Sequence, residues 1–228
     1  MESLKVDIGC GYEKRPGFVG VDKVPAEGVD HVVDVEREVL PFADRTVDTI
    51  FSAHCFEHLA EHALIFHEIS RVAVNGARLE IWTPYAWTDE AFIYTHRTFF
   101  NELHYLHPCC MFPEHWRPIL GADWQLEEVQ FVVTEEVLAD LRRNGIGLEF
   151  ALKYMKGVAV EFGVHLRVWH ENMPERTPPR RTHSRTRDGV RLPVASPAPT
   201  GRLARLWNGL SATLRAYRPS RRIPSESP

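Results

Sequence analysis

Short apolar runs broken by polar turns open the chain. Leu4–Ile8, Phe18–Val21, His31–Val33 and Val47–Ser52 are each too short for a helix and rich in β-branched or aromatic residues, so they predict strands. The period then changes. Across residues 56–73, "FEHLAEHALIFHEISRVA", the apolar positions Phe56, Leu59, Ala63, Phe66, Ile69 and Val72 fall three or four apart, which predicts a helix with one buried face. The residues "NGA" at 75–77 suit the left-handed end of that helix. Residues 78–84, "RLEIWTP", predict a fifth strand stopped by Pro84. Strands alternating with a helix in this order predict a parallel α/β sheet.

Beyond Pro84 the pattern loosens. Residues 85–118, rich in histidine and aromatics, predict loop and short helix. "WQLEEVQFVV" at 124–133 predicts a late strand. Residues 134–160 predict helix broken at Gly145 and Gly147, and "VHLRVWH" at 164–170 predicts the last strand. Residues 174–199 carry too few apolar side chains to pack and are expected to be a disordered linker, and catalysis is expected to survive truncation at Pro174. Residues 200–218 place Leu203, Leu206, Trp207, Leu210, Leu214 and Tyr217 on one helical face with arginines around them. This is a basic amphipathic helix suited to an anionic membrane surface or a protein partner. The divisions expected are a domain over 1–173, a linker over 174–199, a helix over 200–218 and a disordered terminus over 219–228.

The chemistry concentrates in "VDIGCGYEKRPGFVGVD" at 6–22, a glycine loop directly after a strand. Glycines there let backbone approach a ligand, and the carboxyl edge of a parallel sheet is where ligands bind. A dinucleotide fingerprint needs a third glycine opening a helix. Lys14 holds that position, and only ten residues separate Gly11 from Asp22, which argues against NAD and FAD.

Five blocks resemble class I S-adenosylmethionine-dependent methyltransferases: "VDIGCG" at 6–11, "GVD" at 20–22, "HVVDVE" at 31–36, "LPFADRTVDTIFSAHCFEHL" at 40–59 and "HEISRVAVNGARLEIWTP" at 67–84. The abrupt passage from glycine loop to Val21-Asp22 is similar to a compact bacterial subgroup with a shortened first helix. The resemblance implies a doubly wound, seven-stranded Rossmann-like sheet of order 3-2-1-4-5-7-6 with its last strand antiparallel between neighbours. It also implies S-adenosylmethionine as cofactor. Gly9, Cys10 and Gly11 would form the loop around the methionine end, Cys10 chiefly as a small packing residue. Asp7 would face the ammonium, Asp22 the ribose hydroxyls and Asp34 the adenine, with Ala53 and His54 lining the methionine side.

The loop after the fourth strand, "FSAHCFEH", lacks the [DNS]-P-P-[FYW] and Pro-Cys motifs of nucleic-acid methylation, so a small-molecule or glycan acceptor is expected and nucleic acid is not. His96, in "TDEAFIYTHRTFF", is the first candidate base because imidazole titrates near neutrality, and His58 is the second; Tyr94 and Tyr85 are candidates to orient an acceptor. The cluster "HYLHPCCMFPEH" at 104–115 matches no ordinary zinc spacing, and no metal is expected. Two other readings share the fold: a non-catalytic module that binds a partner through its tail, and an RNA or protein methyltransferase that holds its substrate with arginine.

Charge refines the division. Residues 174–228 hold twelve arginines, no lysine and three acids, a net +9, whereas residues 1–173 stand at -13. That asymmetry predicts an acidic body followed by a separate basic segment. The four cysteines form no disulfide ladder and are expected to be reduced thiols in a cytoplasm, with peripheral attachment at the inner membrane surface through the tail. The N-terminus lacks the plan of a signal peptide.

Overall fold

A computed structural model of the chain describes residues 3–194. The chain divides into two units, Met1–Ala195 and Ser196–Pro228, and every described residue belongs to the first. The amphipathic segment at 200–218 lies outside the described residues.

Among the described residues nine strands form one sheet: β1 (Leu4–Ile8), β2 (Val19–Asp22), β3 (His31–Val32), β4 (Val47–Ala53), β5 (Ala73–Pro84), β6 (Asp123–Val132), β7 (Glu161–Trp169), β8 (Arg180–Ser184) and β9 (Leu192–Pro193). Their spatial order is β3-β2-β1-β4-β5-β7-β6-β8-β9. The first five strands are parallel, and β7 runs antiparallel between β5 and β6. The first seven in this row, β3 to β6, follow the expected order. The two added strands correct the expectation of seven and the expectation of a linker from residue 174. β8 pairs in parallel with β6, and β9 pairs with β8. The arginine-rich sequence joins the sheet through polar partners: Arg180 and Arg191 meet Glu128, Arg181 meets Glu102 and Glu149, Arg185 meets Glu135, and Arg187 meets Glu161.

The helices are α1 (Ala63–Val72), α2 (Leu103–Leu106), α3 (Pro113–Leu120), α4 (Glu135–Arg143) and α5 (Leu148–Tyr154). A π-turn over His107–Met111 links α2 to α3. The helix expected over 56–73 is a 3-10 turn at Phe56–His58 and then α1. Gly76, expected to end it, lies inside β5 with φ +80°, where the register with β4 shifts.

The main core packs Ile65 and Ile69 of α1, Leu141 of α4 and Leu152 of α5 against one face of the sheet, which includes Ile8, Leu79, Ile81, Val164 and Phe131. On the other face the apolar residues are a small cluster of Phe51, Trp82 and Val132 with Phe18 and Ala53, and no described helix contributes to it. Among the described residues helices cover one face of the sheet, so the winding is that expected but its second helical layer is replaced by loops. The cause is local. Residues 9–18, 23–30 and 33–46 connect the parallel strands β1 to β4 without a helix, and a helical crossover needs about a dozen residues or more plus turns. Strand β5 shows the consequence: Leu79 and Ile81 are buried while Arg78 is exposed and Glu80 half-buried, the alternation of a sheet with one wet face.

Buried Glu68 on α1 anchors the β3–β4 connection. Its carboxylate accepts from the Leu40 amide at 2.8 Å and from Arg71 at 2.7 and 2.8 Å, and Arg71 donates onward to the Leu40 and Phe42 carbonyls. The Arg71 hydrogen bonds, set against burial and helped by the Leu40 amide, hold the Glu68 carboxyl below its ordinary value of 4.5. A lowered folded pKa gives stability that is full above the unfolded pKa and is lost as pH falls through the folded one. Glu68→Gln should therefore cost about 2 kcal/mol at pH 7, the scale of charge-assisted hydrogen bonds. The gap to wild type should close as the pH drops below about 4, near the unfolded glutamate pKa. Urea titrations at pH 7 and pH 3 check this; an equal gap at both would refute it.

Candidate functional site

The sheet reverses its winding between β1 and β4, and ligands bind outside the carboxyl ends of strands at such a point. A cavity of about 620 Å³ lies there, within the roughly 300–1,000 Å³ of small-molecule and cofactor sites. Four strand ends deliver its walls: Gly9 after β1, Asp22 at the end of β2, Asp34 after β3 and His54 after β4. His58, Tyr94 and Arg97 close the remaining side.

The local geometry has physical causes. Gly9 has φ +72°, and its amide donates to the Val21 carbonyl at 2.7 Å, which turns the chain at the end of β1. A Cβ at this position would stand 2.4 Å from the Cβ of Cys55. Asp22 is fixed from both sides: Oδ2 accepts from the Gly11 amide at 3.0 Å and Oδ1 from the Val24 amide at 2.9 Å. Each carboxylate oxygen keeps a second lone pair for a ligand hydroxyl. Asp34 Oδ1 accepts from the Glu36 amide at 3.2 Å.

The residues expected at the site divide into two groups. Gly9, Asp22, Asp34, His54 and His58 come together around the cavity. Asp7, Cys10, Gly11, Ala53 and His96 stand behind its walls. Asp7 is buried and its Oδ2 accepts from the Arg15 amide at 2.8 Å; burial raises its carboxyl pKa against that hydrogen bond. Gly11 acts through its amide on Asp22. Ala53 packs with Phe51, Trp82 and Val132. His96 sits edge-on to His58 with ring centroids 4.7 Å apart. Tyr85 is buried with its hydroxyl donating to Glu102 at 2.9 Å, so it braces the core and orients no acceptor. The described cysteines are all free thiols, and burial pushes Cys10 up to about 11 and Cys55 up to about 12, away from thiolate chemistry.

His54 is more than a lining residue. It takes φ +54°, and its ring joins Glu161 Oε2 at 3.0 Å through Nε2 and Glu57 Oε1 at 3.1 Å through Nδ1. Hydrogen bonding to Glu161 and then Glu57 raises its pKa to about 9, so it is an imidazolium donating to both carboxylates at neutral pH. Arg187 holds Glu161 from the other side at 2.7–2.9 Å. Glu57, Glu161 and Arg187 are thus site residues that sequence reasoning missed. Glu57 carried one signal, an acid beside His58 between Phe56 and Leu59. The other two lie far along the chain with none.

Residues 93–98 run beside the cavity, held by the Arg97 and Thr98 amides donating to the Glu57 carbonyl at 2.7 and 3.2 Å. Around them Trp87, Phe92, Ile93, Tyr94 and Phe99 are exposed. Of these, Tyr94 lines the cavity itself.

Residues 10–81 match a family model described as "Methyltransferase domain". The matched span begins in the glycine loop and ends within β5, the part of the chain that supplies most of the cavity wall. No curated protein matches the chain. Among solved structures, a SAM-dependent methyltransferase from Archaeoglobus fulgidus is 16% identical, covers 72% of this chain and 86% of its own, and has a TM-score of 0.46. A putative methyltransferase solved in complex with the Trm112 activator of Haloferax volcanii is 16% identical over 74% of this chain and 83% of that chain, with a TM-score of 0.45. Geranyl diphosphate C-methyltransferase from Streptomyces coelicolor, solved with Mg2+, geranyl diphosphate and S-adenosyl-L-homocysteine, is 12% identical over 75% of this chain and 71% of that chain, with a TM-score of 0.43.

Proposed function

We propose that the chain is an S-adenosylmethionine-dependent methyltransferase acting on oxygen or nitrogen of a small-molecule or glycan-type acceptor. The observation that carries this reading is the convergence of Gly9, Asp22, Asp34 and His54, from the ends of four neighbouring strands, on one cavity of cofactor size. The family match over residues 10–81 supports it. Asp22 would accept from the ribose hydroxyls, Asp34 would stand at the adenine end, and the turn at Gly9 would pass the methionine end. The cofactor brings an activated methyl group. The protein aligns the acceptor in line with it, and alignment supplies about 7–11 kcal/mol of the barrier reduction. The exposed rings of Trp87, Phe92, Tyr94 and Phe99 favour an acceptor with an apolar or sugar face. His58 and His96 handle the acceptor's proton.

Calorimetry with S-adenosylmethionine and S-adenosylhomocysteine tests the reading. Asp22→Ala should weaken binding by about 1.5–3 kcal/mol, the scale of hydrogen bonds to a charged group. Absence of binding to the wild type, or equal affinity in the variant, would overturn the assignment. Incubation with deuteromethyl S-adenosylmethionine and mass spectrometry of cell extracts then identifies the acceptor.

No helix among the described residues is long and apolar enough to cross a membrane. Attachment of residues 200–218 to an anionic surface is part of the proposal. It predicts co-sedimentation of the full chain with anionic liposomes, weakened by salt, and none for a chain ending at Val194.

A further inference from the structure

We infer that Glu57, His58 and His96 form a binding site for one divalent metal ion of the zinc type, beside the cavity where His58 lines it. One ligand atom from each residue lies within 4.8 Å of those of the other two. Three further features of the site fit an ion.

The first is the state of Glu57. Its side chain is buried, Oε1 is engaged by His54, and Oε2 is buried with no hydrogen-bond partner among the described residues. A buried carboxylate oxygen without a partner is costly unless a cation meets it. The second is the orientation of the imidazoles. His58 Nδ1 lies 3.1 Å from the Thr95 carbonyl, and His96 Nδ1 lies 3.2 Å from the Ala91 carbonyl. A carbonyl accepts only, so each Nδ1 donates and Nε2 is the ring nitrogen left to meet an ion. Metal-binding histidines are held in this way, with the second nitrogen donating to a backbone carbonyl or carboxylate. The third is the rigidity of the frame. The Glu57 carbonyl accepts from the Arg97 and Thr98 amides, which ties the segment carrying His96 to the turn carrying Glu57 and His58. His54, itself held by Glu161, fixes the Glu57 carboxylate.

Two imidazole nitrogens and one carboxylate oxygen are the donor set of an open three-ligand zinc site and suit first-row divalent ions; magnesium prefers all-oxygen shells. The remaining coordination positions take water or an acceptor oxygen. An ion there lowers the pKa of the oxygen it binds. For a hydroxyl acceptor the proton would leave to solvent. The oxygen lone pair would form the new bond to methyl as the S–C pair returns to sulfur, giving S-adenosylhomocysteine. This consequence rests on the methyltransferase reading. Ion binding does not, and through the ion His58 and His96 act together, as ligands, on the acceptor's proton.

The test is titration of the chelator-treated full chain with Co2+, followed by visible absorption, and with Zn2+ by calorimetry. One ion per chain is expected, with visible d–d bands removed by Zn2+ and unaffected by millimolar Mg2+. His58→Ala and His96→Ala should each raise the Kd by about 100-fold or more, the loss of a direct ligand exceeding the 10–100-fold of an outer-shell one. His104→Ala should change nothing. Circular dichroism checks the fold of each variant; should the histidine variants unfold, Glu57→Gln keeps the shape and must give the same loss. No stoichiometric binding by the wild type, or Kd values unchanged in the variants, overturns the proposal. Cofactor affinity measured on the same metal-free samples reports on the methyltransferase reading separately, so either can fail alone.

Discussion

A chain ending at Met173 will melt well below one ending at Val194. Five residues of β8, Arg180 to Ser184, lie in register with Glu128 to Val132 of β6. Removing them strips β6 of a parallel partner and leaves buried Gln130 without the Ser184 hydroxyl and the Arg187 carbonyl, to which its amide donates at 2.7 and 2.9 Å. It also removes Arg181, which lies 5.3 Å over the Phe131 ring and pairs with Glu102 and Glu149. Glu128 loses Thr182, Arg180 and Arg191 together. That carboxylate regains water once the strand is gone, so its release is not a stranded buried charge. The loss comes from the ladder and the paired side chains. Several neutral hydrogen bonds at about 1 kcal/mol each and charge-assisted ones at about 1.5–3 give a total near 5 kcal/mol. For a domain of this size each kcal/mol lowers the Tm by about 2–4 °C, so a fall of roughly 10–20 °C is expected. Thermal unfolding of the two truncated chains by circular dichroism decides it. Equal midpoints would return residues 174–194 to the status of a linker.

The same strand shows where sequence reading stops. The short apolar runs gave most of the first seven strands, and their spatial order was what the family resemblance implied. β8 reads "RRTHS", with nothing apolar in it. It is held by charge pairs and a backbone ladder, and neither leaves a periodic trace. The excess of arginine after residue 174 and of acid before it was visible as two separate tendencies. In the structure they are partly one, because Arg180, Arg181, Arg185, Arg187 and Arg191 find their partners on the body. The one-sided covering of the sheet was legible in principle. The connections before β4 leave little room for helices on that face.

At the site, position along a strand was the useful signal. Asp22 and Asp34 end or follow strands, and Gly9 and His54 follow strands, so the parallel sheet brings them to one edge. Asp7 sits two residues earlier than Gly9, inside β1, and is buried on Arg15 instead. Glu57 went unread because a single acid among apolar residues resembles the solvent face of a helix. Only the fold shows that its side chain points inward.

Gly9→Ala should be among the most damaging single substitutions in the chain, and Gly11→Ala a mild one, although both glycines belong to the same loop. Gly9 has φ +72° and Gly11 φ +52°, so an alanine at either pays the left-handed penalty of about 1–2 kcal/mol. Only at Gly9 does the new methyl meet something: it would stand 2.4 Å from Cys55 Cβ and 2.5 Å from its Sγ, while nothing lies within 4 Å of a Cβ at Gly11. Cys55 Cβ is fixed to the backbone and cannot swing aside, so relief requires moving the loop after β4. Overpacking of that kind costs a further ~1–3 kcal/mol. The sum for Gly9→Ala is about 2–5 kcal/mol, or roughly 10 °C in Tm, against roughly 4 °C for Gly11→Ala. Because Gly9 and Cys55 both line the cavity, the displaced loop carries His54 and His58 with it, and cofactor affinity should fall in Gly9→Ala more than in Gly11→Ala. Melting curves and cofactor calorimetry on the two variants test both statements. If Gly11→Ala proves as harmful as Gly9→Ala, backbone strain alone sets the need for glycine in this loop and the contact with Cys55 plays no part.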